Sequence, residues 1–358
     1  MNDLKDCFGN AKSTVSKIYG TGKNSIAENI ESLPRYLIFS TPGHKGELSK
    51  TDITEYDGGD IFPRNSVELA QEKTAKRYGA KWARYSVGGS SMAIKSAIVA
   101  VDSDIVAPSF THRCVIEGVK LIKKKAYFID TQIQDGLPNL PTKDQYERAL
   151  NAHPSVKLAV VTSPDYFGRV ADIKGIKEAC NERGVMLLVD SAHGAHYATR
   201  PDIFPDCAVK LADFSAVSTH KTLHSLTQTA IGFCNNDEYA NKWMEAFELL
   251  GTTSPSYELL ASIENGLAYE DEHKDYYDEI ARFRYRLNEE FDLLDNDDIA
   301  RVVIRSYDGK GKTLFDELIK RNIMPETYYE EYCVLILTLA DGQEKLDALY
   351  GALKDMDL

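Results

Sequence analysis

The sequence GVMLLVD at residues 184–190 is an almost uninterrupted apolar run that ends on an aspartate. Such a run is typical of a strand that is buried on both faces of a mainly parallel sheet. The chain before it shows a matching alternation, because an apolar run at residues 157–162 precedes a helical pattern from Asp172 to about Arg183. This alternation predicts an α/β fold. Asp190 then lies at the carboxyl end of its strand, where open α/β sheets bind their ligands.

A glycine-rich turn lies between a strand and a helix earlier in the chain. Residues 84–87 have a strand pattern, GGSS follows at residues 88–91, and a helix is predicted from Met92 to about Val101. Such a junction offers free backbone N–H groups, the positive end of a helix dipole and two hydroxyl groups, which together suit a phosphate. The turn is neither a Walker loop nor a G-x-G-x-x-G motif, so it does not specifically indicate a nucleotide.

A lysine follows a third apolar run. Residues 214–217, FSAV, lead directly into STHK at residues 218–221. A desolvated lysine can lose its proton, and only the neutral amine condenses with an aldehyde. Alone, Lys221 could be a solvated strand end and Asp190 could cap a helix. Together with the glycine-rich turn, they supply the three parts of a pyridoxal phosphate (PLP) site: a covalent anchor, a carboxylate for the pyridine nitrogen and a phosphate cradle.

Composition and charge argue against several classes of function. The chain has 55 acidic and 42 basic residues, and a net charge of -13 disfavours nucleic acid or an anionic membrane as a partner. Its six cysteines form no C-x-x-C pair, and no apolar run approaches membrane-spanning length. His193 and His196 lack the glutamate of an H-E-x-x-H motif, so no metal site is predicted. We expect an unexported, cytoplasmic protein without a membrane segment.

The chain beyond residue 233 changes character. Long helical patterns occupy about residues 238–250 and 257–291. A compact strand–helix–strand–helix pattern then closes the chain, at residues 301–305, 312–320, 332–338 and 344–354. This part predicts a small C-terminal domain.

Several short stretches, taken together, resemble one known family. They are TPGHKG (41–46), GGSS (88–91), His112, YFG (166–168), DSAHG (190–194), STHK (218–221) and TTSPSY (252–257). The chain resembles the group III, fold type I, PLP-dependent ornithine/lysine/arginine decarboxylases, in particular the form without the N-terminal wing domain. The resemblance implies an aspartate aminotransferase-like large domain with a mainly parallel sheet, and a small α+β C-terminal domain. We expect an N-terminal segment at 1–40, a PLP-binding domain at 41–250, and a helical connection with the small domain at 251–358.

The resemblance also implies roles for individual residues. Lys221 would bind the cofactor aldehyde, Asp190 would pair with the pyridinium nitrogen, and either Lys221 or His220 would return a proton to the substrate. Thr252 would reach into the site of a second subunit, which implies a homodimer with shared active sites. Glu326 would face the distal cation of the substrate, and His44 would lie near the substrate. The other implied cofactor contacts are His112 and Ala192 on the two ring faces, Gly89, Ser90, Ser218 and His220 at the phosphate, and Ser91 and His193 close by.

The expected reaction is decarboxylation of lysine, ornithine or arginine to an amine and CO2, as in polyamine-type metabolism. Gly89 and Asp165 stand where the family often has threonine, and the region after Tyr257 is shorter than usual, so the substrate is left open. Which bond breaks depends on orientation, so an aminotransferase or C–C lyase is an alternative. A second alternative is a silent homologue that binds or regulates a decarboxylase, although the intact Lys221 and Asp190 argue against it.

Overall fold

The computed structural model describes residues 25–31, 39, 41–53 and 65–356. The helices in these ranges are α1 (Ile26–Glu31), α2 (Asn65–Tyr78), α3 (Gly89–Val101), α4 (Arg113–Leu121), α5 (Lys143–Ala152), α6 (Ile173–Asn181), α7 (Thr219–Thr222), α8 (Ala240–Leu250), α9 (Tyr257–His273), α10 (Tyr277–Glu290), α11 (Gly311–Lys320) and α12 (Gly342–Lys354). The strands are β1 (Trp82–Ser86), β2 (Ile105–Pro108), β3 (Ala126–Ile129), β4 (Ile133–Gln134), β5 (Leu137–Pro138), β6 (Leu158–Thr162), β7 (Met186–Asp190), β8 (Phe214–Val217), β9 (Ala230–Cys234), β10 (Arg301–Arg305), β11 (Thr327–Tyr329) and β12 (Tyr332–Ile336).

A seven-stranded sheet forms the centre of the larger part, in the order β1-β9-β8-β7-β6-β2-β3. The pairs β8–β7, β7–β6, β6–β2 and β2–β3 are parallel, whereas β9 runs antiparallel to both β8 and β1. The connection from β8 to β9 is only α7 and a short loop, and so short a link suits an antiparallel neighbour. The prediction of a mainly parallel sheet is confirmed.

The central strand β7 explains how the sheet is covered. All five of its residues are buried. Met186 and Leu188 pack with α3, α4 and α8, while Leu187 and Val189 pack with α5 and α6. Because side chains alternate between the two faces of a strand, an apolar residue at every position requires helices on both sides. The predicted α/β fold follows from this burial.

The carboxyl ends of three parallel strands lie side by side. Thr162 of β6 pairs with Asp190 of β7, and Asp190 pairs with Ala216 of β8. The loops after these strands therefore converge at one edge of the sheet, which is where ligands bind in this type of fold.

The C-terminal part contains an antiparallel sheet in the order β10-β12-β11, with α11 and α12 beside it. The strand β11 was not predicted. The expected helix over residues 257–291 is two helices, since a 3₁₀ turn at Lys274–Tyr276 separates α9 from α10. Apolar residues from α9, α10, β10 and α12 share one core with residues from α2 and β9.

The cysteines in the described part of the chain are buried and free. They are Cys114, Cys180, Cys207, Cys234 and Cys333. Burial raises the pKa of each thiol, to about 11 for Cys207 and to about 12 for the other four. Within the same described ranges, no helix is long and apolar enough to cross a membrane, and no three side chains of His, Cys, Asp or Glu are grouped as metal ligands.

Candidate active site

A cavity of about 350 Å³ lies at the carboxyl edge of the large sheet. Its walls come from loops that follow β2, β6 and β7, and from the first turns of α3 and α7. The predicted site residues in its wall are Ser90, His112, Asp190, Ala192, His193 and Lys221, and Thr162 also lines it.

The glycine-rich turn forms one end of this cavity. Helix α3 begins at Gly89, whose φ of 68° lies in the left-handed region, and its N–H donates to the Gln228 carbonyl at 2.8 Å. A β-branched threonine would be strained with this backbone, which accounts for glycine at the position. The Ser218 hydroxyl donates to the Ser90 hydroxyl at 2.9 Å. Two hydroxyl groups and the N-terminus of a 13-residue helix therefore lie together, as an anion site requires.

Asp190 is the last residue of β7, and its side chain is buried. The Ala192 N–H donates to Oδ1 at 3.2 Å, whereas no described residue donates a hydrogen bond to Oδ2. Burial raises the pKa of the Asp190 carboxyl, and the Ala192 N–H and the positive charge of Lys221 partly offset this rise. A buried carboxylate with a free oxygen is suited to hold a protonated ring nitrogen.

Lys221 lies in the short helix α7, directly after β8. Its Nζ is 3.1 Å from Nε2 of His193. Burial lowers the pKa of Lys221, and the positive charge of Arg301 lowers it further, while the Asp190 carboxylate raises it. A lysine with a lowered pKa is more often a neutral amine, which is the nucleophilic form.

His193 is buried between Lys221 and a residue that the sequence reasoning missed. Nη2 of Arg301 donates to Nδ1 of His193 at 3.0 Å, and the ring of Tyr166 packs edge-on against the imidazole at 5.2 Å. Burial, followed by the charges of Arg301 and Lys221, lowers the pKa of His193 well below 6.5. Arg301 opens β10 and is only 1% exposed. A basic residue at the start of an apolar run resembles a solvated strand end, so no sequence signal identified it.

His112 and Ala192 both line the cavity. The exposed His112 caps α4, where its Nδ1 accepts a hydrogen bond from the Cys114 N–H at 3.3 Å. Ser91 follows Ser90 in the first turn of α3. The predicted roles of these residues in holding the cofactor ring or phosphate stay predictions.

Asp165, at a position where the family that the sequence resembles often has threonine, also lines the cavity. Its carboxylate pairs with Arg169 at 2.6 Å and accepts the N–H groups of Phe167 and Arg169, each at 2.9 Å. Arg169 also donates to the Pro138 carbonyl at 2.7 Å. Arg169 therefore balances the negative charge of Asp165 within the same turn. Through its bond to Pro138, Arg169 also links this turn to a second part of the cavity wall.

Four other predicted residues lie outside this cavity in the single chain. The Nδ1–H of His220 donates to the Thr229 carbonyl at 2.7 Å, and His220 lines a second hollow of about 220 Å³ that Lys221 also borders. Nε2 of His44 lies 3.1 Å from the Asp52 carboxylate. The remaining two, Thr252 and Glu326, have exposed side chains. The functional roles expected for these four residues stay predictions.

Glu326 has one link to the cavity. The hydroxyl of Tyr166, which lines the cavity, donates to Oε1 of Glu326 at 2.6 Å. Burial, together with this bond to a carboxylate, raises the pKa of Tyr166, so the phenol keeps its proton. A carboxylate from the C-terminal part is thereby tied to the cavity wall.

The residues present fit PLP. The amine of Lys221, the free Oδ2 of Asp190 and the first turn of α3 border one cavity, which provides an aldehyde partner, a ring-nitrogen partner and a phosphate partner. The buried hydroxyl of Thr162 in the cavity wall has no hydrogen-bond partner among the described residues, so it is available to a ligand.

Comparisons with known proteins agree with this geometry. The family model for the Orn/Lys/Arg decarboxylase major domain matches residues 46–306. An arginine decarboxylase of Halalkalibacterium halodurans is 35% identical over 209 residues, which are 56% of this chain and 42% of that protein. The uncharacterized protein YaaO of Bacillus subtilis is 29% identical over 328 residues, which are 84% of this chain and 68% of that protein. The chain thus spans less than half the length of the arginine decarboxylase.

Two solved structures share the fold at low sequence identity. The lysine decarboxylase LdcF of Francisella novicida has a TM-score of 0.77 and 18% identity, covering 92% of this chain and 59% of that chain. Lysine decarboxylase A of Pseudomonas aeruginosa has a TM-score of 0.77 and 16% identity, covering 98% of this chain and 61% of that chain. The chain therefore has the fold type I architecture of PLP-dependent enzymes and belongs to the Orn/Lys/Arg decarboxylase family.

Proposed function

We propose that this chain is a PLP-dependent decarboxylase that converts a basic amino acid into the corresponding amine and CO2. The observation that carries the proposal is the convergence of Lys221, Asp190 and the first turn of α3 on one cavity, in a chain whose family is established. Each group matches one part of the cofactor.

When bound, PLP supplies an electron-poor ring that accepts the electrons left behind by the departing carboxylate. The Lys221 amine would hold the cofactor through its aldehyde. Asp190 would face the ring nitrogen with its free Oδ2, and its negative charge would stabilise a proton there. His112 and Tyr166, which line the cavity, would orient the substrate, and this orientation would decide which bond breaks.

We propose arginine as the first substrate to test, since the relatives at 35% and 32% identity are named arginine decarboxylases. A guanidinium or ammonium that leaves water needs a negative partner, because a buried unpaired cation costs several kcal/mol. Glu326 is the acid proposed for this role. Its bond to Tyr166 supports the proposal, since it keeps the carboxylate beside the cavity wall.

The active unit is proposed to be a homodimer with shared sites in the cytoplasm. Two residues expected to serve a site, Thr252 and His44, lie outside the cavity of their own chain, which is compatible with action in a neighbouring subunit. The buried, free cysteines are compatible with a reducing compartment.

The test is a direct assay with each basic amino acid. Purified, PLP-loaded protein is incubated separately with arginine, lysine and ornithine, and CO2, the amine and any keto acid are measured. The proposal expects CO2 and amine in equal amounts from one of the three, and neither product from the Lys221→Ala variant. Keto acid without CO2 would establish an aminotransferase instead. No turnover by correctly loaded protein would support the non-catalytic alternative.

A further inference from the structure

Three side chains form a hydrogen-bonded row that begins behind the cavity and ends inside it. Nη2 of Arg301 is 3.0 Å from Nδ1 of His193, and Nε2 of the same ring is 3.1 Å from Nζ of Lys221. Arg301 and His193 are 1% and 7% exposed, so water does not compete for these contacts. The row is therefore a fixed arrangement of donors and acceptors.

The guanidinium group determines the protonation of the ring. An arginine side chain only donates hydrogen bonds and keeps its charge in proteins, so Nδ1 of His193 must be an acceptor. If Nδ1 carried a proton, two N–H donors, one from Arg301 and one from His193, would face each other with no acceptor between them. In a buried position, such an unsatisfied donor is costly. The ring is consequently neutral and carries its one proton on Nε2, the nitrogen that faces Lys221.

We propose that Arg301 is a positioning residue that acts through His193: it fixes the imidazole proton on Nε2, so that the ring donates to Nζ and holds Lys221 as a free amine. If Nζ were an ammonium, its N–H groups would face the Nε2–H of His193, and neither group could accept a hydrogen bond. A neutral amine has a lone pair that accepts the Nε2–H. This inference rests on the proposed role of Lys221 as the cofactor lysine.

The other charged groups near Lys221 show why such a device is needed. The carboxylates of Asp190 and Glu326 and the thiol of Cys114 all favour the ammonium form. Burial and the charge of Arg301 act in the opposite direction. In the described part of the chain, Nε and Nη1 of Arg301 have no hydrogen-bond partner. Among the described residues, the guanidinium group therefore makes its side-chain hydrogen bond to His193, through Nη2.

The charged neighbours of His193 also favour its neutral form. Arg301, Lys221, His196 and His220 all lower the pKa of His193. Nε2 of His196 contacts the Asp298 carboxylate at 3.2 Å. A second proton on His193 would lie on Nδ1 and face the Arg301 guanidinium, so the contacts favour the neutral ring.

The experiment measures the amine directly. The full chain, with PLP removed, is trace-acetylated across the neutral to alkaline range, and peptide mass spectrometry gives the labelling midpoint of Lys221, with the exposed Lys120 as internal reference. We expect a lower midpoint for Lys221 than for Lys120. His193→Phe should raise the labelling midpoint of Lys221 by about one pH unit, which is about a tenfold loss of reactive amine at neutral pH. This shift is expected although the positive charge of Arg301 is still present. His193→Gln should preserve the midpoint, because the amide can accept from Arg301 and donate to Lys221.

Control variants separate this effect from loss of structure or of charge. Arg301→Met should behave like His193→Phe, whereas Arg305→Met removes a cation from the same strand without touching His193 and should leave the midpoint unchanged. Circular dichroism confirms folding of each variant. An unchanged midpoint in folded His193→Phe, or a wild-type Lys221 midpoint equal to that of Lys120, would overturn the proposal.

Failure of the proposed function has a different signature. Borohydride reduction of PLP-loaded protein, followed by peptide mapping, identifies the lysine that carries the cofactor. Attachment to a lysine other than Lys221 would refute the assigned cofactor site, whereas the acetylation midpoints would still test the Arg301–His193–Lys221 row.

Discussion

Replacing Asp190 with asparagine keeps the shape of the side chain and removes its charge. The asparagine oxygen can still accept the hydrogen bond from the Ala192 N–H, so the loop after β7 should be retained. The amide cannot stabilise a protonated ring nitrogen as a carboxylate does. We therefore expect Asp190→Asn to bind PLP and to lose turnover.

The size of the loss follows from burial. Asp190 is 4% exposed, so its charge and that of the ring nitrogen would meet with little water between them. Removing one partner of a buried ion pair costs about 3–5 kcal/mol. If that cost falls on the transition state, turnover should fall roughly 10²- to 10⁴-fold, at about 1.4 kcal/mol for each factor of ten.

The same substitution should have a second, opposite effect on stability. Burial raises the pKa of Asp190 above 3.8, so its contribution to the stability of the cofactor-free fold is present below pH 3.8 and is lost as pH rises through the folded-state pKa. Above the folded-state pKa, the buried ionised carboxylate destabilises the cofactor-free chain. Cofactor-free Asp190→Asn should therefore be at least as stable as wild type in urea unfolding at neutral pH.

The assay combines the rate of CO2 release, absorbance of bound PLP and urea unfolding. Asp213→Asn is the matched control, because Asp213 precedes β8 at the opposite end of the sheet, where it pairs with Lys177 and accepts the Leu187 N–H at 2.7 Å. It should lower stability and leave turnover unchanged. Turnover of Asp190→Asn within about tenfold of wild type, with PLP bound, would refute the reasoning.

Four further outcomes are expected. Lys221→Ala should abolish the borohydride-reducible PLP linkage, and a retained linkage at another lysine would contradict the assignment. Glu326→Gln should lower kcat/KM for the basic amino acid by an amount that corresponds to about 1.5–3 kcal/mol, the range for a hydrogen bond to a charged group. PLP binding should be unchanged, and Tyr166→Phe should lower kcat/KM less. Mixing Lys221→Ala chains with Thr252→Ala chains should restore activity through hybrid dimers, and full activity in a demonstrable monomer would disprove shared sites. Burial lowers the pKa of His193 well below 6.5, so His193 contributes stability above pH 6.5 that is lost as the pH falls below this value. The free energy of unfolding should fall by up to about 1.4 kcal/mol per pH unit. In urea titrations, the free energy of unfolding of His193→Phe should fall less steeply with decreasing pH.

Local signals in the sequence identified several of the elements that border the candidate active site. The apolar run at residues 184–190 predicted a strand buried on both faces, and β7 is that strand. Thr142 and Gln145 have the spacing of a capping box, and both hydrogen bonds of that motif are present at the start of α5. These features depend on residues that are close in the chain, so periodicity and capping rules reach them.

Features that depend on distant or very short segments were not predicted. The strands β4, β5 and β11 are two or three residues long, which is too short for an alternating pattern. No glycine or proline marks the break at residues 274–276 between α9 and α10. The contact between Arg301 and His193 joins residues 108 positions apart, and only the packing of the C-terminal part against the large sheet creates it.

The buried cysteines provide an internal reporter of opening for each sheet. A thiol whose pKa is raised to about 12 carries very little thiolate at neutral pH, and burial also shields it from alkylating reagents. Cys234 lies in β9 of the large sheet, and Cys333 lies in β12 of the C-terminal sheet. Peptide-resolved alkylation along a urea series would therefore count opened molecules separately at the two positions. Coincident curves would mean that both sheets melt as one cooperative unit, and separated curves would give the order in which they melt.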